Sequence, residues 1–442
     1  MNHKALAAVV GVALVARIVT SLFRITYGIV PVPFVGPSPW TDYNLYVSDL
    51  HFVASGYVPY RDFGFWYTPL FLYFLLPLYY LFGTFGPSLF IVLSDALTAG
   101  IIFLIVARRH ETRLAMVVGL AYALLPFALY NEGYLWLSSQ PMTFFALLSV
   151  YMLLKDKPYW SVAALAISVL FKQEVIILLP LLIFWQFKRN PKKALKGVVL
   201  FLTIIAVVST PFLILDANNY LFETSYGLIK TGLSVPFIVS AYPSGGTSPI
   251  YPLLACMSTI VAGKFTGNVC SAGNLLSMNW IYTQPFAYRV VSSFTSMLVF
   301  LIPVLFGLLC VSLYAVRRAD GVLQLAFASS IVGLLSLFES TVSAALAYYF
   351  IPVYALILSA STGKKSLAVA ITGSLIPALI PDGLFQTLFA IGVLFALVVA
   401  KDREILNGRA RVEIGEPRTP SYVEVKRADH RQAKSGFESD AL

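Results

Sequence analysis

The chain has 442 residues, of which 58% are hydrophobic and only 12% are charged. Soluble domains carry about a quarter charged residues, so this composition excludes an ordinary water-soluble globular protein and requires lipid as the solvent. The net charge of +10 does not indicate nucleic-acid binding, because the lysines and arginines lie in short clusters between apolar segments. Such clusters are typical of the cytoplasmic loops of multi-span membrane proteins.

The apolar segments can be paired between these basic clusters. A span needs roughly 20 apolar residues, and an even number of spans must separate any two clusters on the same side. The first stretch, roughly 5–23, is too long for a typical signal-peptide core and predicts an uncleaved anchor. The remaining predicted spans are 87–107, 114–131, 135–154, 159–171, 175–187, 197–215, 290–315, 321–338, 341–361, 366–381 and 383–400.

This reading predicts an all-α polytopic membrane protein with about twelve transmembrane helices and both termini in the cytoplasm. Residues 1–400 form the transmembrane domain, and 401–442 form a cytoplasmic tail whose polar composition predicts disorder. Two large extracytoplasmic loops are predicted at 24–86 and 216–289. An apolar run from Pro69 to Phe82 is too short to cross, so the first loop is expected to carry a membrane-parallel or half-membrane helix.

The pair 159–171 and 175–187 is short on both sides of the sequence Lys172-Gln173-Glu174. One continuous span would bury two charges and invert the topology, so two short helices with a polar turn below the outer surface are predicted. Charged groups at such depth normally face a protein interior rather than lipid. The turn is therefore a candidate binding element, with a simple Lys172–Glu174 pairing as the alternative.

The first outer loop carries the strongest chemical signal. Ser38-Pro39 is a helix-start pattern, and a helix from there to about Ser55 would place Asp42, Tyr46 and Asp49 on one face. Asp42 falls in the first turn, where the helix dipole favours an ionised carboxylate. An ionised carboxylate can accept a proton from an attacking hydroxyl, although the same residue could simply cap the helix.

These motifs, taken in order, resemble the C-type glycosyltransferase superfamily, and within it the polyprenol-phosphate-mannose-dependent mannosyltransferases. The matching residues are Asp42-Tyr43, Gly56 with Pro59-Tyr60-Arg61-Asp62-Phe63, Tyr67-Thr68-Pro69-Leu70, Lys172-Gln173 with Pro180, and Tyr348-Tyr349-Phe350-Ile351-Pro352. The chain departs from the family pattern at Tyr43, where a second acid is frequent, at Thr68, where many members carry proline, and at Ala347, where several carry a basic residue.

The resemblance implies an inverting transfer of a sugar, mannose by default, from polyprenyl phosphate to a hydroxyl on the outer face of the membrane. Asp42 is then the general base, and Lys172 and Arg61 face the leaving phosphate, with Arg24 and Arg289 as weaker candidates. The expected partners are a lipid-linked sugar donor, a lipid, glycan or protein acceptor, and the membrane. No metal or cofactor is expected, and the prokaryotic plasma membrane is the expected location. The predicted substrate-binding residues are Tyr43, Asp49, Tyr60, Arg61, Asp62, Lys172, Gln173, Glu174, Tyr348 and Tyr349.

Several less specific interpretations compete with this one. Solvated or salt-bridged carboxylates are the favoured interpretation of Asp49 and Asp62, and a solvated helix cap is the favoured interpretation of Glu132. Arg17 and Asp95 lie within predicted spans, where they are expected to neutralise one another. Cys256 and Cys270 share one outer segment, which would allow a disulfide. At the level of function, a transporter or a flippase of lipid-linked oligosaccharides is the main alternative, although no internal repeat of the kind found in many transporters is visible. A polymerase or ligase of lipid-linked glycans would share the topology.

Overall fold

The computed structural model describes residues 2–28, 42–65, 67–137, 139–229, 350–360, 364–379, 390 and 392–394. Within these residues the chain is helical apart from turns, and it contains no strand. The helices are α1 His3–Tyr27, α2 Asp42–Ala54, α3 Leu70–Phe82, α4 Gly86–Ala107, α5 Thr112–Ala123, α6 Pro126–Ala128, α7 Ser139–Leu154, α8 Pro158–Phe171, α9 Leu179–Arg189, α10 Pro191–Ile229, α11 Ile351–Ser359 and α12 Lys364–Leu379. A π-helical turn, Leu129–Tyr134, follows α6, and 3-10 turns at Gly83–Phe85 and Gln173–Leu178 precede α4 and α9.

Several of these helices are long and apolar enough to cross a bilayer. Within the described residues, three segments qualify: α1 (His3–Tyr27), the continuous segment Leu70–Ala107 that comprises α3, the 3-10 turn and α4, and the first part of α10 (Pro191–Ala217). Helix α5 together with Pro126–Tyr134 forms a fourth candidate, which is bent by 40°. The protein is therefore an all-α polytopic membrane protein, as the composition predicts. The expected total of about twelve spans extends into undescribed segments and stays a prediction.

Helix α4 is the central helix of the described part of the protein. In the Leu70–Ala107 segment 72% of the most apolar window is buried inside the protein, against 17% for both α1 and the Pro191–Ala217 segment. Helix α4 packs against α1, α3, α5 and α7. The outer face of α1 carries exposed apolar side chains such as Val15, Val19 and Leu22. That face can only be stable against lipid or another apolar surface.

A buried ion pair fastens α1 to α4. The Arg17 Nε lies 2.5 Å from Asp95 Oδ2, and neither side chain is exposed. Arg17 also donates to the Ala123 carbonyl, and the Tyr122 hydroxyl donates to the second Asp95 oxygen at 2.8 Å. The expectation that these two intramembrane charges neutralise each other is confirmed. Both charges have hydrogen-bonding partners, which is the condition for placing them away from water.

Close approach of α1 to the π-helical turn depends on a glycine. A Cβ added to Gly133 would collide with the Thr20 hydroxyl and would lie 3.4 Å from the Arg17 Cα. Small residues commonly allow membrane helices to approach one another in this way. Because the backbones lie this close, the Ser21 hydroxyl can donate to the Gly133 carbonyl at 2.8 Å.

The break between α8 and α9 has the form that the sequence predicts. Helix α8 ends at Phe171, Lys172 is extended with φ −158° and ψ 123°, and a 3-10 turn leads into α9. Two short helices with a polar residue between them replace one continuous span. Farther along, α10 continues beyond a kink at Asp216 to Ile229, so the first part of the predicted outer segment 216–289 is helical.

Other predictions fall on residues that are not described. These are the helix start at Ser38-Pro39, the remainder of 216–289 with Cys256 and Cys270, the residues Tyr348 and Tyr349, and the tail 401–442. They stay predictions.

Candidate functional site

Helix α2 contains Asp42, Tyr46 and Asp49 at successive turns, as the sequence predicts. Asp42 is its first described residue, Tyr46 follows one turn later and is fully buried, and Asp49 is 8% exposed. The helix ends at Ala54, one residue earlier than predicted. Gly56 has a φ of +91°, and the Tyr57 amide donates back to the Phe52 carbonyl at 3.0 Å. A positive φ after the last turn is the usual helix-ending conformation and is readily adopted by glycine.

The beginning of α2 is held by a stack of aromatic rings around a guanidinium. The Arg24 guanidinium lies 3.8 Å from the Trp136 ring centroid and 5.2 Å from that of Tyr43. Arg24 Nη1 donates to the carbonyls of Tyr134 and Leu135, and the Tyr43 hydroxyl donates to the Thr84 carbonyl. Tyr43 therefore anchors α2 immediately beside Asp42, and Arg24 is enclosed by protein.

Trp136 adopts a φ of +57°, which is costly for an aromatic residue. Its indole nitrogen donates to the Ser21 hydroxyl at 2.9 Å, and its ring contacts that of Tyr43 edge-on. These contacts with α1 and α2 hold the strained residue in place.

The connector after α2 is a tight turn. The Tyr60 amide donates to the Phe63 carbonyl at 2.9 Å, and Asp62 accepts from the Val58 amide at 2.7 Å. Arg61 binds both Asp62 oxygens, and its side chain is 46% exposed. The Arg61 hydrogen bonds lower the pKa of Asp62 to about 2. In this arrangement Arg61 and Asp62 stabilise the turn, with the Arg61 side chain at the protein surface.

Tyr60 lies in an aromatic cluster beneath this turn. Its ring contacts Phe65, Phe212 and Tyr220, and its hydroxyl donates to the Tyr67 carbonyl at 2.6 Å. Burial raises the pKa of Tyr60 well above its usual value, so the hydroxyl stays protonated and acts as a donor. The cluster fixes the connector against α10.

Lys172 meets the acidic helix through Tyr67. The Lys172 Nζ lies 5.3 Å from the centre of the Tyr67 ring, and Lys172 is 1% exposed. The Tyr67 hydroxyl is 3.4 Å from that of Tyr46, and their rings contact edge-on. Lys172 and Tyr67, which are more than 100 positions apart in sequence, thus meet in one cluster.

The part of α10 that follows the kink at Asp216 adds residues to this cluster that the sequence analysis did not identify. Gln173 Nε2 lies 3.4 Å from the Thr224 carbonyl, and a Cβ on Gly64 would lie 3.3 Å from Glu223 Oε1. The segment containing Glu223 had been predicted as part of an outer loop, so its helical placement beside Gly64 could not be anticipated. The side chain of Glu174 is not described.

Asp49 has an unusual environment for a carboxylate. Burial raises the pKa of Asp49 to about 7, and no cation pairs with it in the described part of the chain. The expectation of a solvated side chain is therefore wrong for Asp49, whereas a salt-bridged carboxylate describes Asp62 well. Asp49 lies on the same helix as Asp42, two turns farther along the chain.

Across the described ranges, no group of three or more His, Cys, Asp or Glu side chains has the spacing of a metal site. The buried Lys172 ammonium lies beside the Tyr67 ring. A buried ammonium of this kind can bind an anion.

A known family model matches the part of the chain that contains this site. The family model of PIG-U, described as a GPI transamidase subunit, matches residues 36–243. The match includes α2, the connector, Lys172 and most of α10, and it covers slightly less than half of the chain. Over this range the chain is similar to that family.

Among solved structures, the chain is similar to the apo form of the Archaeoglobus fulgidus oligosaccharyltransferase. The sequence identity is 14% and the TM-score is 0.43, with 90% of this chain and 55% of the oligosaccharyltransferase covered. The chain thus spans just over half the length of that enzyme. Among curated proteins, none matches the chain significantly.

Glu132 is the clearest error of the sequence interpretation. It was expected to be a solvated cap, yet it is fully buried within the π-helical turn, and the Ser139 hydroxyl donates to its Oε1 at 2.7 Å. A six-residue π-helical turn leaves no mark in apolar periodicity, so no pattern in the sequence could have placed this carboxylate inside the protein.

Proposed function

We propose that this protein transfers a sugar, mannose by preference, from a polyprenyl-phosphate donor to a hydroxyl of a lipid, glycan or protein acceptor. The observation that carries the proposal is the Lys172–Tyr67–Tyr46 contact, which joins a buried cation to the helix that begins at Asp42. The resemblance of the motifs to the C-type glycosyltransferases and the PIG-U match over 36–243 support it.

In the proposed reaction the acceptor oxygen attacks the anomeric carbon of the donor sugar. The bond between that carbon and the phosphate oxygen breaks, and the polyprenyl phosphate leaves with the electron pair beside the Lys172 ammonium. The hydroxyl proton passes to Asp42, which acts as the general base. One displacement at the anomeric carbon inverts its configuration.

The remaining predicted residues take supporting roles in this proposal. Tyr43 anchors the start of α2, and Asp49, Gln173, Glu174, Tyr348 and Tyr349 are assigned to the sugar and phosphate. Tyr60, Arg61 and Asp62 shape the connector at the rim of the site. The chemistry is assigned to the extracytoplasmic face of the plasma membrane, with both termini in the cytoplasm.

The experiment uses purified protein in lipid nanodiscs with radiolabelled polyprenyl-phosphate mannose and acceptor lipids from the same membranes. Asp42→Asn should lower transfer by about 10²- to 10⁴-fold while donor binding persists. Asp156→Asn is the matched control, because Asp156 is exposed and pairs with Arg189 in a turn between helices. Full activity in Asp42→Asn would rule out Asp42 as the base.

A second candidate function follows from the PIG-U match, since that family is described as a subunit of a transamidase. The chain would then bind a lipid-linked glycan within a larger complex and perform no transfer itself. This candidate would be favoured if the purified chain binds the donor or a glycolipid but shows no transfer by itself. Transfer should then appear only after partner subunits from the native membrane are added. Donor-driven transport of a glycolipid across the bilayer would favour the flippase alternative.

A further inference from the structure

Exposed cations are concentrated where α7 meets α8 and where α9 meets α10. Helix α7 ends at Leu154 and α8 begins at Pro158, whereas α9 ends at Arg189 and α10 begins at Pro191. These two turns and the start of α10 carry a set of exposed cationic residues, which we call the basic patch: Lys155, Lys157, Arg189, Lys192, Lys193 and Lys196. Asp156 is the one acidic residue of these segments.

Direct contacts join the two turns of the basic patch. Arg189 Nη1 lies 2.8 Å from Asp156 Oδ1, although the two residues are 33 positions apart in sequence. Gln186 Nε2 lies 3.4 Å from the Pro158 carbonyl oxygen. Farther along α10, a Cβ on Gly197 would lie 3.2 Å from Gln186 Oε1. The turns therefore form one surface and not two separate loops.

The start of α10 adds to the positive potential of this surface. Asn190 Oδ1 accepts a hydrogen bond from the Lys193 amide at 2.9 Å, and Pro191 is the first residue of the helix. A helix N-terminus carries a partial positive charge, which favours an anion nearby. The carboxylate of Asp156 is already bound by Arg189, so it leaves the lysines of the basic patch unbalanced.

An exposed apolar face begins next to the basic patch and continues along α10. Leu195 is 67% exposed, and Val199 and Leu202 follow at helical spacing, each 58% exposed. Trp160, in the first turn of α8, is 68% exposed, and indole rings favour the boundary between lipid and water. Cations beside an apolar face that continues into the membrane complement a phospholipid, which joins a charged headgroup to acyl chains.

A third turn at the same end of the helices provides a comparison. Helix α5 with its bent continuation and helix α7 run between the α4–α5 turn and the α7–α8 turn, so both turns lie at one end. The α4–α5 turn carries exposed Arg108 and Arg113, with exposed Glu111 between them. The tendency of cations to lie on one side of a membrane accounts for all these turns. It does not account for the joining of two of them through Arg189 and Asp156.

We propose that the basic patch binds the headgroup of an anionic phospholipid, whose acyl chains lie along the exposed apolar face of α10. Charge complementarity assigns the headgroup, and the exposed face assigns the tails. The site is distinct from the cluster around Lys172, since α9 leads away from the break at Lys172 to the basic patch at its other end. The inference is independent of whether the chain transfers a sugar.

The test measures contact between the lipid and Trp160 in the full-length protein in nanodiscs. Phosphatidylglycerol or phosphatidylcholine with brominated acyl chains replaces part of the bilayer, and the quenching that is lost in Trp160→Phe isolates the signal of this ring from those of the other tryptophans. Phosphatidylglycerol should reach half-maximal quenching at a mole fraction on the order of tenfold lower than phosphatidylcholine. Added salt should reduce this preference, because it screens exposed charges.

Two double variants separate a local site from a general surface potential. Lys192→Gln with Lys193→Gln should remove most of the preference for phosphatidylglycerol. Arg108→Gln with Arg113→Gln removes two exposed charges at the same end of the helices but outside the basic patch, and it should leave the preference unchanged. Equal losses in the two double variants, or equal quenching of the wild type by the two lipids, would overturn the inference. If soluble glycerol phosphate displaces the lipid at equal concentration, the ligand is a free phosphate and the assignment to a lipid is wrong.

Discussion

The Lys172 ammonium lies 5.3 Å from the centre of the Tyr67 ring, which in turn contacts Tyr46 of the acidic helix α2. The ring is therefore the bridge between the first outer loop and the broken span. Cation–π contacts contribute about 2 kcal/mol or more where water is excluded. Tyr67 should consequently matter for donor binding through its ring rather than through its hydroxyl.

We expect Tyr67→Ala to raise the KM for the polyprenyl-phosphate donor by about tenfold, because Lys172 loses the ring that holds it. Tyr67→Phe keeps the ring beside Lys172 and should stay within about threefold of the wild type. Initial rates against donor concentration in nanodiscs measure both values. Equal losses in the two variants would mean that the hydroxyl, and not the ring, is required.

Asp49 should make stability depend on pH in the direction opposite to that of an ordinary surface carboxylate. Its pKa of about 7 lies above the usual value of 3.8, so the folded protein holds a proton that the unfolded chain releases. Stability from this group is present at low pH and is lost as pH rises from about 4 to 7. Asp49→Asn should therefore leave stability unchanged near pH 4 and raise it at pH 8, by roughly 4 kcal/mol as an upper limit.

Thermal unfolding in nanodiscs at several pH values measures this effect. Asp62→Asn is the matched comparison, because the hydrogen bonds from Arg61 lower the pKa of Asp62 to about 2. Its contribution is present above the usual value of 3.8 and is lost as pH falls toward 2, so that variant should be the less stable one at neutral pH. The same pH trend in both variants would contradict the assignment of Asp49.

The Arg17–Asp95 pair should be needed for stability rather than for the reaction. Arg17→Met or Asp95→Leu alone leaves a charge without its partner in the core and should cost about 3–5 kcal/mol. The double variant should be more stable than either single variant, because it removes both charges together. The exposed Arg189–Asp156 pair is the control, and Asp156→Asn should change stability by less than about 1 kcal/mol. Denaturation midpoints measure the effect of each variant on stability, and transfer rates at a temperature where the variants stay folded measure its effect on the reaction.

The ring of Trp136 should control how well the start of α2 is ordered. Trp136→Phe retains a ring beside Arg24 and Tyr43, whereas Trp136→Ala removes both ring contacts. We expect Trp136→Ala to lower kcat far more than it raises the donor KM, since the misplaced group is the proposed base Asp42 rather than the proposed phosphate site at Lys172. Trp136→Phe should lie between Trp136→Ala and the wild type. A loss confined to KM would show that the stack serves donor binding instead.

Much of the architecture follows from the sequence because it depends on local composition. Apolar runs bounded by basic clusters predict α1 and α4 to within a few residues of their observed ends, since lipid requires helices of a set length. The break at Lys172 and the helix end at Gly56 also follow, because a charge in a short apolar pair and a glycine after a helix have local physical consequences.

What the sequence by itself determined is therefore the membrane class and the positions of several helices. The tertiary structure alone decided which of them meet: Lys172 with Tyr67, Arg24 with Trp136, and Glu132 inside the core instead of in solvent. Burial and charge pairing arise between segments far apart in the chain. The π-helical turn and the strained φ of Trp136 are likewise consequences of packing, and no local propensity encodes them.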